Sequence, residues 1–141
     1  MFTRSRSEAN PATGLYRSVQ VDTAVAGATP HQLIALLFAG FQSACSQARG
    51  AILSGNVPSK GRAIGRAVRI IDEGLKAGLN LEAGGALARD LNDLYAYITL
   101  RLTHANLHGD EPAIAECQRL IQPLQEAWSA IAGQIDAASP H

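Results

Sequence analysis

The stretch between Gly84 and Gly109 limits the possible folds of this chain more than any other segment. Its apolar residues recur at steps of three or four, as Leu87, Leu91, Leu94, Ile98, Leu102 and Ala105. Such spacing places side chains on one face of an α-helix, because a strand would need strict alternation. Tyr95, Tyr97 and Leu100 widen this apolar surface, as in a helix at the centre of a bundle or one that binds a partner. We therefore predict a central helix here, ended by Gly109.

Length and composition favour one folded domain. The chain has 141 residues, enough for a hydrophobic core without disulfide staples, and 47% of them are apolar. The formal net charge of zero argues against a dedicated nucleic-acid-binding protein. No apolar run reaches the roughly 18 residues of a transmembrane span, and the N-terminus lacks the apolar core of a secretory signal. We therefore expect a cytoplasmic protein in which Cys45 and Cys117 are small buried hydrophobic residues.

Two further helices are predicted before the central one. The segment from Thr29 to Gln32 has the pattern of a capping box with proline at the first helical position, which predicts a helix over residues 30–53. A second helix is predicted over residues 58–79, followed by a turn at residues 80–85.

A fourth helix is predicted after the central one, with Asp110 as its N-cap. Its apolar residues follow steps of three and four as far as Ile135, which is typical of the seam of an antiparallel bundle. Pro123 lies inside this helix and predicts a modest kink.

Short turns between four helices force neighbouring helices to be antiparallel. The predicted fold class is therefore all-α, an antiparallel up-down four-helix bundle over residues 15–137. This range begins with an N-terminal apolar arm or short helix, which carries Leu15, Tyr16, Val19 and Val21 and precedes the first of the four helices. Residues 1–14 are expected to be disordered and residues 138–141 to be frayed.

The histidines are the first candidates for chemistry. His104 and His108 are four residues apart, which suits two ligands of one metal ion, but no HExxH or ExxH pattern surrounds them. We expect them to stabilise the end of the central helix. A histidine phosphotransfer bundle, with His31 or His104 as the phosphate acceptor, is an alternative function. It is disfavoured because neither histidine is followed by the Lys-Gly pair of such domains. The simpler interpretation of His31 is a solvated residue in the first helical turn.

A row of arginines, Arg62, Arg66 and Arg69, lies along one face of the second helix. A phosphate-binding ridge is an alternative, but Asp72 and Glu73 lie three and four residues beyond Arg69 and can pair with it. We therefore predict a solvated face here. No catalytic arrangement emerges, so we predict a binding protein with no enzymatic activity, cofactor or metal.

Five segments lie in one order along the chain: LYRSVQVDTA at 15–24, ATPHQLIALLFAG at 28–40, AVRIIDEGLKAGLNLEAGG at 67–85, LNDLYAYITLRLTHANLHGD at 91–110 and EAWSAI at 126–131. Each is a weak signal alone, but together they resemble the flagellin-specific secretion chaperone family. The resemblance implies a bundle that binds the disordered C-terminal segment of flagellin, prevents premature polymerisation and assists delivery to the secretion apparatus. It also implies an export gate component and an anti-sigma factor as further partners. A helical adaptor for another client stays an alternative.

The resemblance also locates family residues on this chain. The arm tyrosine corresponds to Tyr16, and two departures occur, at Ala39 where an acidic residue is common and at Leu100 where a basic one is common. The predicted partner-binding residues are Tyr16, Val19, Ile64, Val68, Ile71, Leu87, Leu91, Leu94 and Ile98. Helical spacing also suits Ile71, Leu94 and Ile98 to the core, so the other helical positions are preferred. The arm is expected to cover part of the groove until flagellin displaces it. Exposed apolar grooves often self-associate, so a homodimer stays open.

Overall fold

The structure is a computed structural model that describes residues 27–138, and the side chains of residues 27–131. Within that range the chain forms four helices, which we number α1 (Pro30–Ser54), α2 (Val57–Arg69), α3 (Leu81–His108) and α4 (Glu111–Ala138). A π-helical segment, Ile70–Lys76, continues α2. The predicted all-α four-helix bundle is confirmed. The predictions for residues 1–26, including Tyr16 and Val19, and for residues 139–141 lie outside the described residues.

Each helix packs against the one before it, and α4 returns to α1, so the four helices enclose one core. Every one of the connections is short, which makes successive helices antiparallel. The α1–α2 and α3–α4 connections therefore lie at one end of the bundle. The start of α1, the α2–α3 connection and the C-terminal half of α4 lie toward the other end.

The local capping signals act as the sequence predicts. Oγ1 of Thr29 accepts from the backbone N–H of Gln32 at 3.1 Å, and Oε1 of Gln32 accepts from the N–H of Thr29 at 2.8 Å. This pair is the capping box predicted for α1. Oδ1 of Asp110 accepts from the N–H of Ala113 at 3.3 Å, which confirms Asp110 as the cap of α4. Gly109 ends α3 in the left-handed region, with φ of 64°.

Two details of the connection between α2 and α3 differ from prediction. The second helix does not continue as an α-helix to Leu79, because it widens into the π-helical segment at Ile70. In that segment adjacent pairs are buried, Ile70 with Ile71 and Gly74 with Leu75, which the wider turn accommodates.

The predicted turn at residues 80–85 is also wrong. Oδ1 of Asn80 accepts from the N–H of Ala83 at 3.0 Å, so Asn80 is an N-cap and α3 begins at Leu81. The break comes later, at Gly85, whose φ of 59° and ψ of −137° interrupt the helix after its first turn.

The core contains side chains from all four helices. Its largest fully buried members are Phe41, Leu37, Ile64, Ile70, Ile71, Ile98, Leu102, Ile114 and Ile121. Cys45 and Cys117 are buried free thiols, as predicted. Burial raises the pKa of Cys117 to about 12 and raises the pKa of Cys45 further. Both side chains therefore behave as neutral apolar groups at ordinary pH.

Polar contacts hold α1 against α4. The guanidinium of Arg49 contacts Glu111 through Nε and donates from Nη1 to Oε1 of Gln118 at 2.8 Å. Nε2 of Gln118 in turn donates to the carbonyl of Gln42 at 3.2 Å. These bonds set the register of the two helices, since each needs its partner at one height along the bundle.

None of the described helices has the length and apolar character needed to cross a membrane.

Candidate functional site

An apolar groove of about 430 Å³ lies at the end of the bundle where α1 begins. Four parts of the chain build it: the first turns of α1, the end of the π-helical segment with its following turn, the first half of α3, and the second half of α4. We call it the apolar groove. Its lining residues are Ile34, Phe38, Leu75, Gly78, Leu79, Leu87, Leu91, Tyr95, Leu124, Ala127, Trp128 and Ile131. No charged side chain is among them.

The floor and the rim of the apolar groove differ in exposure. Phe38, Leu75 and Tyr95 form its floor and are buried parts of the core. On the rim, Leu87 is 69% exposed and Ile131 is 43% exposed. A wide apolar surface with a buried floor and an open rim is typical of a site that binds a partner.

Two adjacent glycines lie just before Leu87 at the edge of the apolar groove. A Cβ on Gly84 would lie 2.5 Å from the Cβ of Ala88, closer than two carbon atoms can approach. Gly85 has φ of 59°, a conformation that residues with a Cβ rarely adopt. The chain therefore needs both glycines to start α3 in this position.

Trp128, which lines the apolar groove, forms an aromatic pair with His31. The imidazole of His31 lies parallel to the indole of Trp128, with ring centroids 4.2 Å apart and an angle of 7° between planes. Nε1 of Trp128 donates to the carbonyl of His31 at 2.9 Å, and Nε2 of His31 lies 3.1 Å from the carbonyl of Trp128. The prediction of a solvated His31 is therefore wrong. Its partner is 97 residues away, so no local pattern could indicate the contact.

The two histidines at the end of α3 form a different arrangement. Nε2 of His104 lies 3.1 Å from Oδ2 of Asp110, the residue that caps α4. The ring of His108 lies 4.5 Å from that of His104, tilted by 47°. Among the described side chains no group of three or more His, Cys, Asp or Glu residues has the arrangement of a metal site. His104 therefore connects the end of α3 to the start of α4, and His108 packs beside it.

Comparison with known proteins identifies the family. The sequence model of the family described as "Flagellar protein FliS" matches residues 12–135, most of the chain. The chain belongs to the FliS family. The resemblance inferred from the sequence segments is confirmed.

Curated members of the FliS family cover similar lengths. The flagellar secretion chaperone FliS of Salmonella typhimurium is 47% identical over 116 residues, which are 82% of this chain and 86% of that protein. The flagellar secretion chaperone FliSB of Pseudomonas aeruginosa is 39% identical over 116 residues, which are 82% of this chain and 91% of that protein. The FliS of Vibrio cholerae is 33% identical over 116 residues, again 82% of this chain, and 85% of that protein.

The predicted partner-binding residues separate into groups in this FliS-family structure. Ile64, Ile71 and Ile98 are at most 2% exposed and lie inside the core, so these predictions of a binding surface need correction. The physical reason is that apolar residues at helical spacing must first fill the interior of the bundle. Leu87 and Leu91 do line the apolar groove.

Val68 and Leu94 are partly buried against the core and lie outside the apolar groove.

The sequence analysis did not predict the lining residues that come from α1, the α2–α3 turn and α4. They are Ile34, Phe38, Leu79, Leu124, Trp128 and Ile131. One signal for α4 was present, since Leu124, Trp128 and Ile131 belong to the apolar seam that the sequence shows along this helix.

The arginine row of α2 is only partly a solvated face. Arg69 pairs with Glu73 at 3.5 Å, as predicted, whereas Asp72 accepts from Oγ1 of Thr99 on α3 at 3.2 Å. Arg62 is exposed, but Nε of Arg66 is buried and has no hydrogen-bond partner among the described residues. The solvated-face prediction therefore fails for Arg66.

A polar cluster lies on the outer surface where α3 meets α4. The hydroxyl of Tyr97 donates to Oε2 of Glu116 at 2.6 Å, and Nε of Arg101 donates to Oε1 at 2.8 Å. The hydrogen bonds from Tyr97 and then from Arg101 lower the pKa of Glu116 below that of an ordinary glutamate. Leu100 is 70% exposed on the same helix and does not line the apolar groove.

Proposed function

We propose that this FliS-family protein is a flagellar secretion chaperone whose client is flagellin. The disordered C-terminal segment of flagellin folds as an amphipathic helix in the apolar groove. One observation carries the proposal: the groove has an entirely uncharged lining and an open apolar rim in a chain related to proteins named flagellar secretion chaperones.

The dimensions of the apolar groove suit such a client. Its volume of about 430 Å³ is large enough for several apolar side chains of one helix face. Helix-in-groove recognition uses residues at positions i, i+3 or i+4, and i+7, which insert along one line. Burying each of them contributes about 1.5–3 kcal/mol, and part of this offsets the entropy lost when a disordered segment folds. Affinity is thereby moderated, which suits a client that must be released.

The consequences for flagellin follow from occupying its C-terminal segment. A bound segment is unavailable for contacts between subunits, so the chaperone prevents premature polymerisation and assists delivery to the secretion apparatus. We place this role in the cytoplasm, and we include an export gate component and an anti-sigma factor as partners. The function is binding, with no reaction and no cofactor.

The N-terminal arm is part of the proposal. Leu15, Tyr16, Val19 and Val21 precede α1, whose first turns form one wall of the apolar groove. We propose that the arm covers the groove until flagellin displaces it. Deleting residues 1–23 should therefore strengthen binding of the client. Weaker binding after the deletion would mean that the arm contributes contacts to the client instead.

The experiment is a calorimetric titration with a peptide of the last roughly 40 residues of the host's flagellin, repeated at several temperatures. Binding at one-to-one stoichiometry, a negative heat-capacity change and a gain of helicity by circular dichroism would support the proposal. Absence of binding by the folded protein would contradict it and would favour an adaptor for another client. The phosphotransfer alternative has less support, because Nε2 of His31 lies against Trp128 and Nε2 of His104 against Asp110.

A further inference from the structure

A second cavity, of about 500 Å³, lies at the opposite end of the bundle from the apolar groove. It opens between the last turns of α1 and the first turns of α2. We call it the cationic cleft. It shares no lining residue with the apolar groove, and its polar lining residues are Gln47, Ser54, Asn56, Ser59, Arg62 and Arg66.

The charges of the cationic cleft are all of one sign. Two guanidinium groups line it together with hydroxyl and amide side chains, and no carboxylate does. Arg49, Arg69 and Arg101 each pair with a glutamate elsewhere in the bundle. Arg62 and Arg66, in contrast, form no ion pair with any described carboxylate. The cleft therefore concentrates positive charge in a protein whose formal net charge is zero.

The two arginines are held in different ways. Nη2 of Arg62 donates to Oγ of Ser59 at 3.2 Å, which keeps that guanidinium beside the start of α2. Nε of Arg66 is buried and has no hydrogen-bond acceptor in the described part of the chain. A buried donor on a charged group is costly without an acceptor, and a carboxylate is the acceptor that best fits the planar fork of an arginine.

We infer that the cationic cleft binds an acidic peptide segment of a partner protein other than the client. Carboxylates of that segment accept hydrogen bonds from Arg62 and Arg66, while the hydroxyl and amide groups meet its backbone. The volume of the cleft lies in the range of sites for whole molecules, larger than one small ion needs. No aromatic side chain lines it, so it lacks the stacking surface that single-stranded nucleic acids use.

The position of the cationic cleft has a consequence for assembly. Because it lies at the other end of the bundle, an acidic partner and a client in the apolar groove can bind at the same time. The inference is therefore independent of the proposed function. A protein that failed to bind flagellin would still bind an acidic segment through this cleft.

The test is an NMR titration of the ¹⁵N-labelled full-length chain with hexaglutamate at low ionic strength. We expect amide shifts within residues 47–66 that disappear at about 1 M salt, where charges are screened beyond roughly 3 Å. Arg62→Gln and Arg66→Gln should each weaken binding by about tenfold, the effect of losing a charge-assisted pair. Arg69→Gln removes the same charge from the same helix outside the cleft and should leave binding unchanged.

Four results would overturn the inference. The first is the absence of amide shifts with hexaglutamate, and the second is a loss of binding in R69Q equal to that in R62Q and R66Q. The third is hexaglutamine that binds as tightly as hexaglutamate, and the fourth is inorganic phosphate that does so. The last result would assign the cleft to small free anions. If R66Q loses helicity by circular dichroism, R62Q decides the test, because the side chain of Arg62 is exposed and its replacement leaves the core intact.

Discussion

The substitution Leu87→Ala tests the apolar groove most directly. The side chain of Leu87 is 69% exposed on the groove rim. Complete burial of a leucine contributes about 1.5–3 kcal/mol, so the exposed part has about 1–2 kcal/mol left to contribute when a client covers it. Alanine retains only the β-carbon, so most of this contribution disappears. Losing about 0.8–1.5 kcal/mol should therefore raise the dissociation constant for the flagellin peptide roughly four- to twelvefold.

The matched control is Leu100→Ala. Leu100 lies on the same helix and is 70% exposed, so the two substitutions remove the same atoms from equally exposed positions. Because Leu100 lies outside the apolar groove, Leu100→Ala should leave the affinity for the flagellin peptide unchanged. Both variants should keep the free energy of unfolding within about 0.5 kcal/mol of the parent, as is usual at exposed positions. Urea unfolding measures this, and calorimetric titration with the flagellin peptide measures affinity.

Two outcomes would contradict binding of the client at the rim of the apolar groove. If L87A binds the peptide as tightly as the parent, the client does not cover the rim of the apolar groove. If L100A loses as much affinity as L87A, the client lies along the outer face of α3 instead. Each outcome requires that the variant is folded, and the urea unfolding measurement verifies this.

Three further predictions concern stability. Gly85→Ala should lower the free energy of unfolding by about 1–3 kcal/mol, because an alanine at φ of 59° is strained, whereas Gly50→Ala inside α1 should not lower it. Trp128→Phe removes the donor to the carbonyl of His31 and should lower the free energy of unfolding by about 0.5–1.5 kcal/mol in urea. The lowered pKa of Glu116 stabilises the folded state above the ordinary glutamate pKa, and this stabilisation is lost as pH falls through the folded-state pKa. Glu116→Gln should therefore make urea midpoints less sensitive to acidification.

Each of these predictions has an outcome that contradicts it. Equal stabilities of G85A and G50A would mean that the break in α3 relaxes without strain. An unchanged W128F would mean that the indole hydrogen bond contributes nothing beyond the contact of the rings. For the pH dependence, an E116Q variant with the parent's acid sensitivity would assign that sensitivity to other carboxylates.

The binding site could be predicted only in part from the sequence. Leu87 and Leu91 could be predicted because the apolar stripe of the central helix carries them toward its connection with the preceding helix, where they line the groove. Ile64 was expected in the groove and instead fills the core. Helical spacing places a residue on a face, but whether that face is covered depends on the neighbouring helix. That information is absent from the spacing itself.

The features of the fold that could be predicted from the sequence are those that depend on local interactions. The capping box of Thr29 and Gln32, the cap at Asp110 and the stop at Gly109 all act within a few residues, so their patterns can be recognised without a structure. Together with helical periodicity they were sufficient for the four-helix bundle. The order of family segments added membership of the FliS family.

Tertiary structure alone decided where the open surfaces are. The apolar groove exists because four separate parts of the chain converge without covering one another, and the cationic cleft opens between the last turns of α1 and the first turns of α2. His31 stacks on Trp128 across 97 residues of sequence, a contact that only the return of α4 to α1 creates. Packing between distant segments sets which side chains stay exposed, and the binding surfaces are made of those side chains.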